Sequence, residues 1–128
     1  GPCKGLRIMV VEDNKANSTF LNRFLSKQGA DLYNAENGQQ ALQLLENTRI
    51  DIILMDIQMP VMDGREATKR IRSGQSGINP STLPIIAVSA YAMKHEQEHI
   101  LAGGMDGFVA KPVQTHELLS AISIAVNK

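Results

Sequence analysis

The chain has 128 residues, with thirteen Lys and Arg set against thirteen Asp and Glu, and a single cysteine. That length suits one domain with a real core, and the even charge balance gives no global attraction to nucleic acid or to a membrane surface. A lone Cys3 cannot close an internal disulfide, which fits a reducing cytosol, and neither a bilayer-spanning apolar run nor a signal-peptide pattern is present.

Gly1-Pro2 reads as a remnant of tag cleavage, so residues 1–5 are taken as a lead-in and 6–128 as the domain, expected to be excised from a longer protein. Leu6-Arg7-Ile8-Met9-Val10-Val11 predicts a buried strand ending at Glu12-Asp13-Asn14. Ala16, Phe20, Leu21, Phe24 and Leu25 then recur at the spacing of one helical face, and Gly29 stops that helix. Ala30 to Tyr33 predicts a weaker strand at an edge, and Asn37-Gly38 turns into a helix carrying Ala41, Leu42, Leu44 and Leu45.

The central strand is Ile52 to Met55, too short for a free-standing helix and suited to burial on both faces of a parallel sheet. Asp56 stands at its carboxyl end, ahead of the stiff loop Ile57-Gln58-Met59-Pro60-Val61-Met62-Asp63-Gly64. A surface helix with a narrow stripe at Ala67 and Ile71 runs to Arg72, and residues 73–84, rich in Gly and Pro, read as an exposed loop. Ile85 to Val88 predicts a fourth strand ending at Ser89. A polar helix from Lys94 to Ala102 follows, closed by Gly103-Gly104. Phe108 to Ala110 predicts a fifth strand ending at Lys111-Pro112, where proline raises the chance of a cis bond. Thr115 is placed to cap a last helix with Leu118, Leu119, Ile122 and Val126 inward.

Five strand and helix alternations predict right-handed crossovers and an α/β fold: a doubly wound five-stranded parallel sheet with five helices, in the flavodoxin-like order 2-1-3-4-5. In that order the carboxyl ends of four strands meet, bringing together Glu12, Asp13, Asp56, Ser89 and Lys111. A pair of carboxylates about 5 to 6 Å apart repels by about 3 kcal/mol at an effective dielectric near 20, so such a cluster needs a cation. Oxygen donors without His or Cys favour Mg²⁺, or Mn²⁺, over zinc. With Lys111 as a mobile positive charge and Ser89 as a hydroxyl donor, these are the parts of a phosphoryl-transfer site, and Asp56 on the central strand is the natural nucleophile.

As an ordered set, Glu12-Asp13-Asn14, the run from Met55 to Gly64, Ser89-Ala90 and Lys111-Pro112 resemble the response-regulator receiver domain of two-component signalling, across Leu6 to Asn127. The resemblance implies that Asp56 takes a phosphoryl group from a phosphohistidine on a histidine kinase or histidine phosphotransfer domain. It implies Mg²⁺ held by Asp13, Asp56 and the backbone carbonyl of Gln58, with Glu12 acting through a water. Ser89, standing where many members carry Thr, would grip the phosphoryl group, Lys111 would pair with it, and Phe108 is the aromatic of the switch. Output would run through the surface of the fourth helix, fifth strand and fifth helix. Val11 to Asn14 with Asn17, and Gly104-Met105-Asp106-Gly107, look most like receivers of hybrid sensor kinases. Such a domain would be cytoplasmic, on its own or beneath a membrane-bound sensor, and a monomer or weak dimer without direct nucleic-acid binding. It would be a signalling phosphoacceptor rather than a turnover enzyme, although a hybrid parent would be a kinase.

Other readings of the same residues are a degenerate receiver used only for docking and a zinc metallopeptidase. The second rests on His95-Glu96-Gln97-Glu98-His99, which fits H-E-x-x-H, with His116 or Glu117 as a third ligand. It is weighed down by its setting in the most polar part of a helix. A haloacid-dehalogenase-type phosphatase needs a second Asp two residues after the nucleophile, and position 58 is Gln. Asp63 and Asp106 are expected to serve turns, and the methionines to serve packing.

Overall fold

The computed structural model describes residues 1–90 and 93–127; the expected domain end at Lys128 lies outside them. The elements alternate as β1 (Arg7–Val11), α1 (Lys15–Lys27), β2 (Asp31–Ala35), α2 (Gly38–Asn47), β3 (Ile52–Asp56), α3 (Gly64–Arg72), β4 (Ile85–Ser89), α4 (Lys94–Ala102), β5 (Gly107–Ala110) and α5 (Thr115–Val126). The strands form one parallel sheet in the order β2-β1-β3-β4-β5, as the alternation predicts. The edge strand β2 runs two residues beyond Tyr33, because pairing with β1 continues to Val11 opposite Ala35.

Every residue of β3 and β4 is buried, and the period of two sends alternate side chains to opposite faces. Ile53, Met55, Ile85 and Ala87 join Ala41, Leu45, Ala67, Ile71 and Ile100 in a core beneath α2, α3 and α4. Ile52, Leu54, Ile86 and Val88 join Leu21, Leu25, Leu118 and Ile122 beneath α1 and α5. The sheet is therefore covered on both sides, which the near-continuous apolar strands require. Cys3 is buried in the second core, and its N–H donates to Gln28 O, so the lead-in is packed against the domain.

Three local expectations change. Ala16 and Phe20 of α1 are exposed, and only Leu21 and Leu25 of that helix are fully buried, because packing on β1 and β2 needs one stripe. Thr115 is the first helical residue of α5, and the cap position falls on Gln114, which makes no side-chain capping bond. The segment 73–84 is not simply exposed: Ser76, Asn79 and Leu83 are buried.

Asn79 explains that burial. Its Oδ1 accepts from Ile50 N at 2.8 Å, and its Nδ2 donates to Leu45 O at 3.1 Å and Thr48 O at 2.9 Å, satisfying the backbone between α2 and β3. Asp63 caps α3 by accepting from Glu66 N. Asp106 does more than turn the chain, since its Oδ2 accepts from Ile85 N and from Arg72 Nη2, each at 2.9 Å.

Removing a buried amide leaves its partners unsatisfied, at a cost of about 1 to 3 kcal/mol. Asn79→Ala should lower stability in urea titration by about 2 kcal/mol, whereas Arg70→Ala, which breaks an exposed i,i+4 pair with Glu66, should cost about 0.5 kcal/mol or less.

Candidate functional site

Four strand ends build the site. Glu12 directly follows β1, where its N–H still donates to Ala35 O, so its carboxylate is carried into the fold and is buried. Its Oε2 accepts from Asn14 N at 3.2 Å. Asn14 then caps α1 by accepting from Asn17 N at 3.0 Å, leaving Asp13 exposed between strand and helix. Asp56 ends β3, buried at 5% exposure, and its Oδ1 accepts from Gln58 N at 3.3 Å.

The loop after Asp56 folds back tightly. Gly64 N donates to Ile57 O, and a Cβ at Gly64 would collide with the Asp56 carbonyl oxygen, so only glycine permits this approach. Val61, at the loop's tip, is exposed with φ of 71°, a conformation that costs a β-branched residue energy.

Ser89 ends β4 and is buried, and its carbonyl accepts from Lys111 N at 2.9 Å. The Lys111-Pro112 bond is cis. Lys111 Nζ lies 3.1 Å from Glu12 Oε1 and 3.4 Å from Asp56 Oδ1, bridging the two buried acids. Oxygens of Glu12, Asp13 and Asp56 lie within 4.8 Å of one another. Octahedral Mg²⁺ needs oxygens about 3 Å apart when adjacent and about 4 Å when opposite, so small side-chain movements bring this hard donor set to the required spacing. Phe108, level with Ala87 in the sheet register, is partly buried against the core beneath α4.

Burial, then the hydrogen bond and charge of Glu12, push the Asp56 carboxyl up to about 7 from an ordinary 3.8. Burial would also raise Glu12, but hydrogen bonds with Asp56, Asn14 N–H and Lys111 outweigh it and hold Glu12 below its usual range. Burial would lower Lys111, and its two acidic partners raise it instead. Without metal a proton taken up by the pair therefore favours Asp56 over Glu12.

The sequence's zinc alternative finds no support in this geometry. His95 is largely exposed, its Nε2 3.9 Å from Glu96, and among the described residues the sole three-ligand cluster of His, Cys or acid side chains is Glu12, Asp13 and Asp56. One surface feature escaped the sequence reading. Exposed Phe20 stacks on half-buried Phe24, ring centroids 6.5 Å apart, beside a shallow hollow lined also by Lys15, Arg23 and Lys27. Their i,i+4 spacing was visible, but equally consistent with core packing.

A flavodoxin-like sheet with carboxylates, a hydroxyl and a lysine gathered at its carboxyl edge defines an aspartate-centred, phosphoryl-handling α/β domain. The chain belongs to the response regulator receiver domain family, whose model matches residues 8–123. It is 38% identical over 116 residues to the sensor protein GacS of Pseudomonas syringae pv. syringae, covering 91% of this chain and 13% of that protein. The chain therefore spans a small part of that curated relative. The receiver domain of sensor histidine kinase PA1611 from Pseudomonas aeruginosa PAO1, solved with magnesium coordinated in its active site cleft, superposes with a TM-score of 0.85 at 35% identity, over 97% of this chain and 99% of that one. The receiver domain of Ssk1 from Saccharomyces cerevisiae, solved with the histidine phosphotransfer protein Ypd1, is also similar. Its TM-score is 0.83 at 30% identity, covering 94% of this chain and 88% of the other.

The raised Asp56 carboxyl has a measurable consequence in EDTA. Because the fold binds that proton more tightly than the unfolded chain does, the contribution of Asp56 is fully present below about pH 4 and is lost as pH rises through about 7. Glu12 acts oppositely, but only near and below its ordinary 4.5. Urea titrations should therefore show wild type losing about 2 to 3 kcal/mol relative to Asp56→Asn between pH 5 and 7.5. A constant difference across that range would place the proton elsewhere.

Proposed function

We propose that this receiver domain takes a phosphoryl group from a phosphohistidine donor onto Asp56 and relays the event through the α4, β5 and α5 surface. The observation that carries the reading is the bridge of Lys111 between the buried Glu12 and Asp56, with Asp13 beside them at the sheet's carboxyl edge. A carboxylate oxygen of Asp56 attacks phosphorus in line, the P–N bond to the donor imidazole breaks, and the imidazole nitrogen keeps the electron pair and takes up a proton.

Asp13, Asp56, the Gln58 carbonyl and, through a water, Glu12 would hold Mg²⁺ or Mn²⁺. The bound cation supplies charge neutralisation for the phosphoryl oxygens. It would also favour the ionised, nucleophilic form of Asp56 over the protonated one. Lys111 can leave its acid partners to pair with a phosphoryl oxygen. Ser89, buried at the end of the neighbouring strand, would donate its hydroxyl to another.

Drawing Ser89 towards the new charge vacates space beside β4, into which the half-buried Phe108 ring can turn. This is a shift between accessible states, bounded by the difference in phosphoryl contacts between them. Residues 6–128 are the proposed domain. The donor is a histidine kinase or histidine phosphotransfer domain, and the exposed Phe20 of α1, stacked on the half-buried Phe24 among basic neighbours, suits docking of an amphipathic surface. A hybrid sensor kinase is the proposed parent and the cytoplasm the proposed location; among the described residues no helix is long and apolar enough to cross a membrane.

Intact mass after incubation with Mg²⁺ and a small acyl phosphate should show one added phosphoryl group mapping to Asp56. No adduct on a folded protein would restore the docking-only reading. Mg²⁺ alone should raise the melting temperature, and Asp13→Asn should abolish the rise. Ser89→Ala should still take phosphoryl yet show smaller NMR shift changes at Phe108 and α4, whereas Lys111→Ala should impair both.

A further inference from the structure

An open groove of about 380 Å³ runs between α3 and α4, and its lining includes none of Glu12, Asp13, Asp56 and Lys111. Its floor is apolar, built from Ile100 and Met105, which are buried in the core beneath. Its rim is cationic, with Arg65 and Lys69 of α3 facing His99 of α4. Among the described residues no carboxylate lines it. Of the acids on neighbouring turns, Asp63 caps α3 and lines the adjoining hollow with Arg65, Glu66 bonds Arg70 at 3.0 Å, and Asp106 bonds Arg72 at 2.9 Å.

Helix stability does not account for this placement. Arg65 and Lys69 are like charges at i,i+4, and Arg65 sits in the first turn, at the positive end of the helix dipole. Lys69, in the last turn, is favourable to the dipole on its own, but Arg65 has no such compensation. Positive charge is thus concentrated around an apolar hollow whose volume suits a small ligand.

We propose that the α3–α4 groove binds a small organic anion with an apolar body, an aromatic or medium-chain carboxylate. The carboxylate sits between Arg65 and Lys69, the guanidinium able to hold both oxygens, and the apolar body lies over Ile100 and Met105. One wall is α4, in which Ile100 is the one buried residue, so a ligand bridging α3 and α4 biases the position of the switch surface. That coupling rests on the proposed phosphoryl switch; binding itself does not.

The test is an NMR titration of the ¹⁵N-labelled chain with octanoate and 2-naphthoate at constant ionic strength, with octanol as the neutral comparator. Both carboxylates should give saturable shifts over α3 and residues 99–105 at about millimolar concentration. Arg65→Gln/Lys69→Gln, exposed changes that preserve helix propensity, should weaken binding about tenfold with the rest of the spectrum unchanged. Equal binding of octanol, equal binding by the double variant, or shifts centred on α1 or Lys111 would overturn the site. So would an acidic helical peptide that occupies the groove when neither carboxylate does. Saturating 2-naphthoate should also change the apparent affinity for beryllofluoride more than twofold, and an unchanged affinity would overturn the coupling alone.

Discussion

The structure turns on one ammonium group held between two buried carboxylates. Glu12 and Asp56 come from adjacent parallel strands and would repel strongly if both were ionised in this setting. Lys111, 3.1 and 3.4 Å away, makes the arrangement tolerable, and what repulsion and burial remain push the Asp56 carboxyl up to about 7. The same frustration makes the site useful, because an incoming divalent cation or phosphoryl group replaces an imperfect compensation rather than disturbing a satisfied one.

Holding that arrangement requires strands that cannot slip. A shift of one residue in β3 would exchange its two faces, moving Ile53 and Met55 into the core occupied by Ile52 and Leu54. Two separate cores, one on each side of the sheet, therefore lock the register that puts Asp56 level with Val88 and leaves Ser89 and Lys111 within reach. The tight return at Gly64 and the strained Val61 belong to the same economy of space, since the loop passes directly over the Asp56 backbone.

Stability and responsiveness are unevenly distributed. The amino edge of the sheet is tied down by Asn79 and by the fork of Arg72, whose donors reach Gly104, Ser81, Leu83 and Asp106. At the opposite edge, α4 has Met93 at its cap position, which makes no side-chain capping bond. A first turn without a capping bond opens more readily than a capped one, which suits a surface that has to switch.

The alternation of elements, the edge position of β2, the central place of β3 and the meeting of Glu12, Asp56, Ser89 and Lys111 were all legible in the sequence. They follow from short-range rules: apolar runs mark buried strands, Gly and Pro end elements, and parallel α/β connectivity gathers carboxyl ends. The tight loop motif after Asp56 was legible for the same reason. Other features depended on which atoms meet across long separations. The exposure of Phe20, the burial of Asn79 within a Gly- and Pro-rich segment, the pairing of Asp106 with Arg72, and the cationic groove between α3 and α4 are decided by packing partners distant along the chain. Periodicity says that a helix has an apolar face, but only the tertiary structure decides how wide a stripe the neighbouring elements cover, because that width is set by the shape of what packs against it.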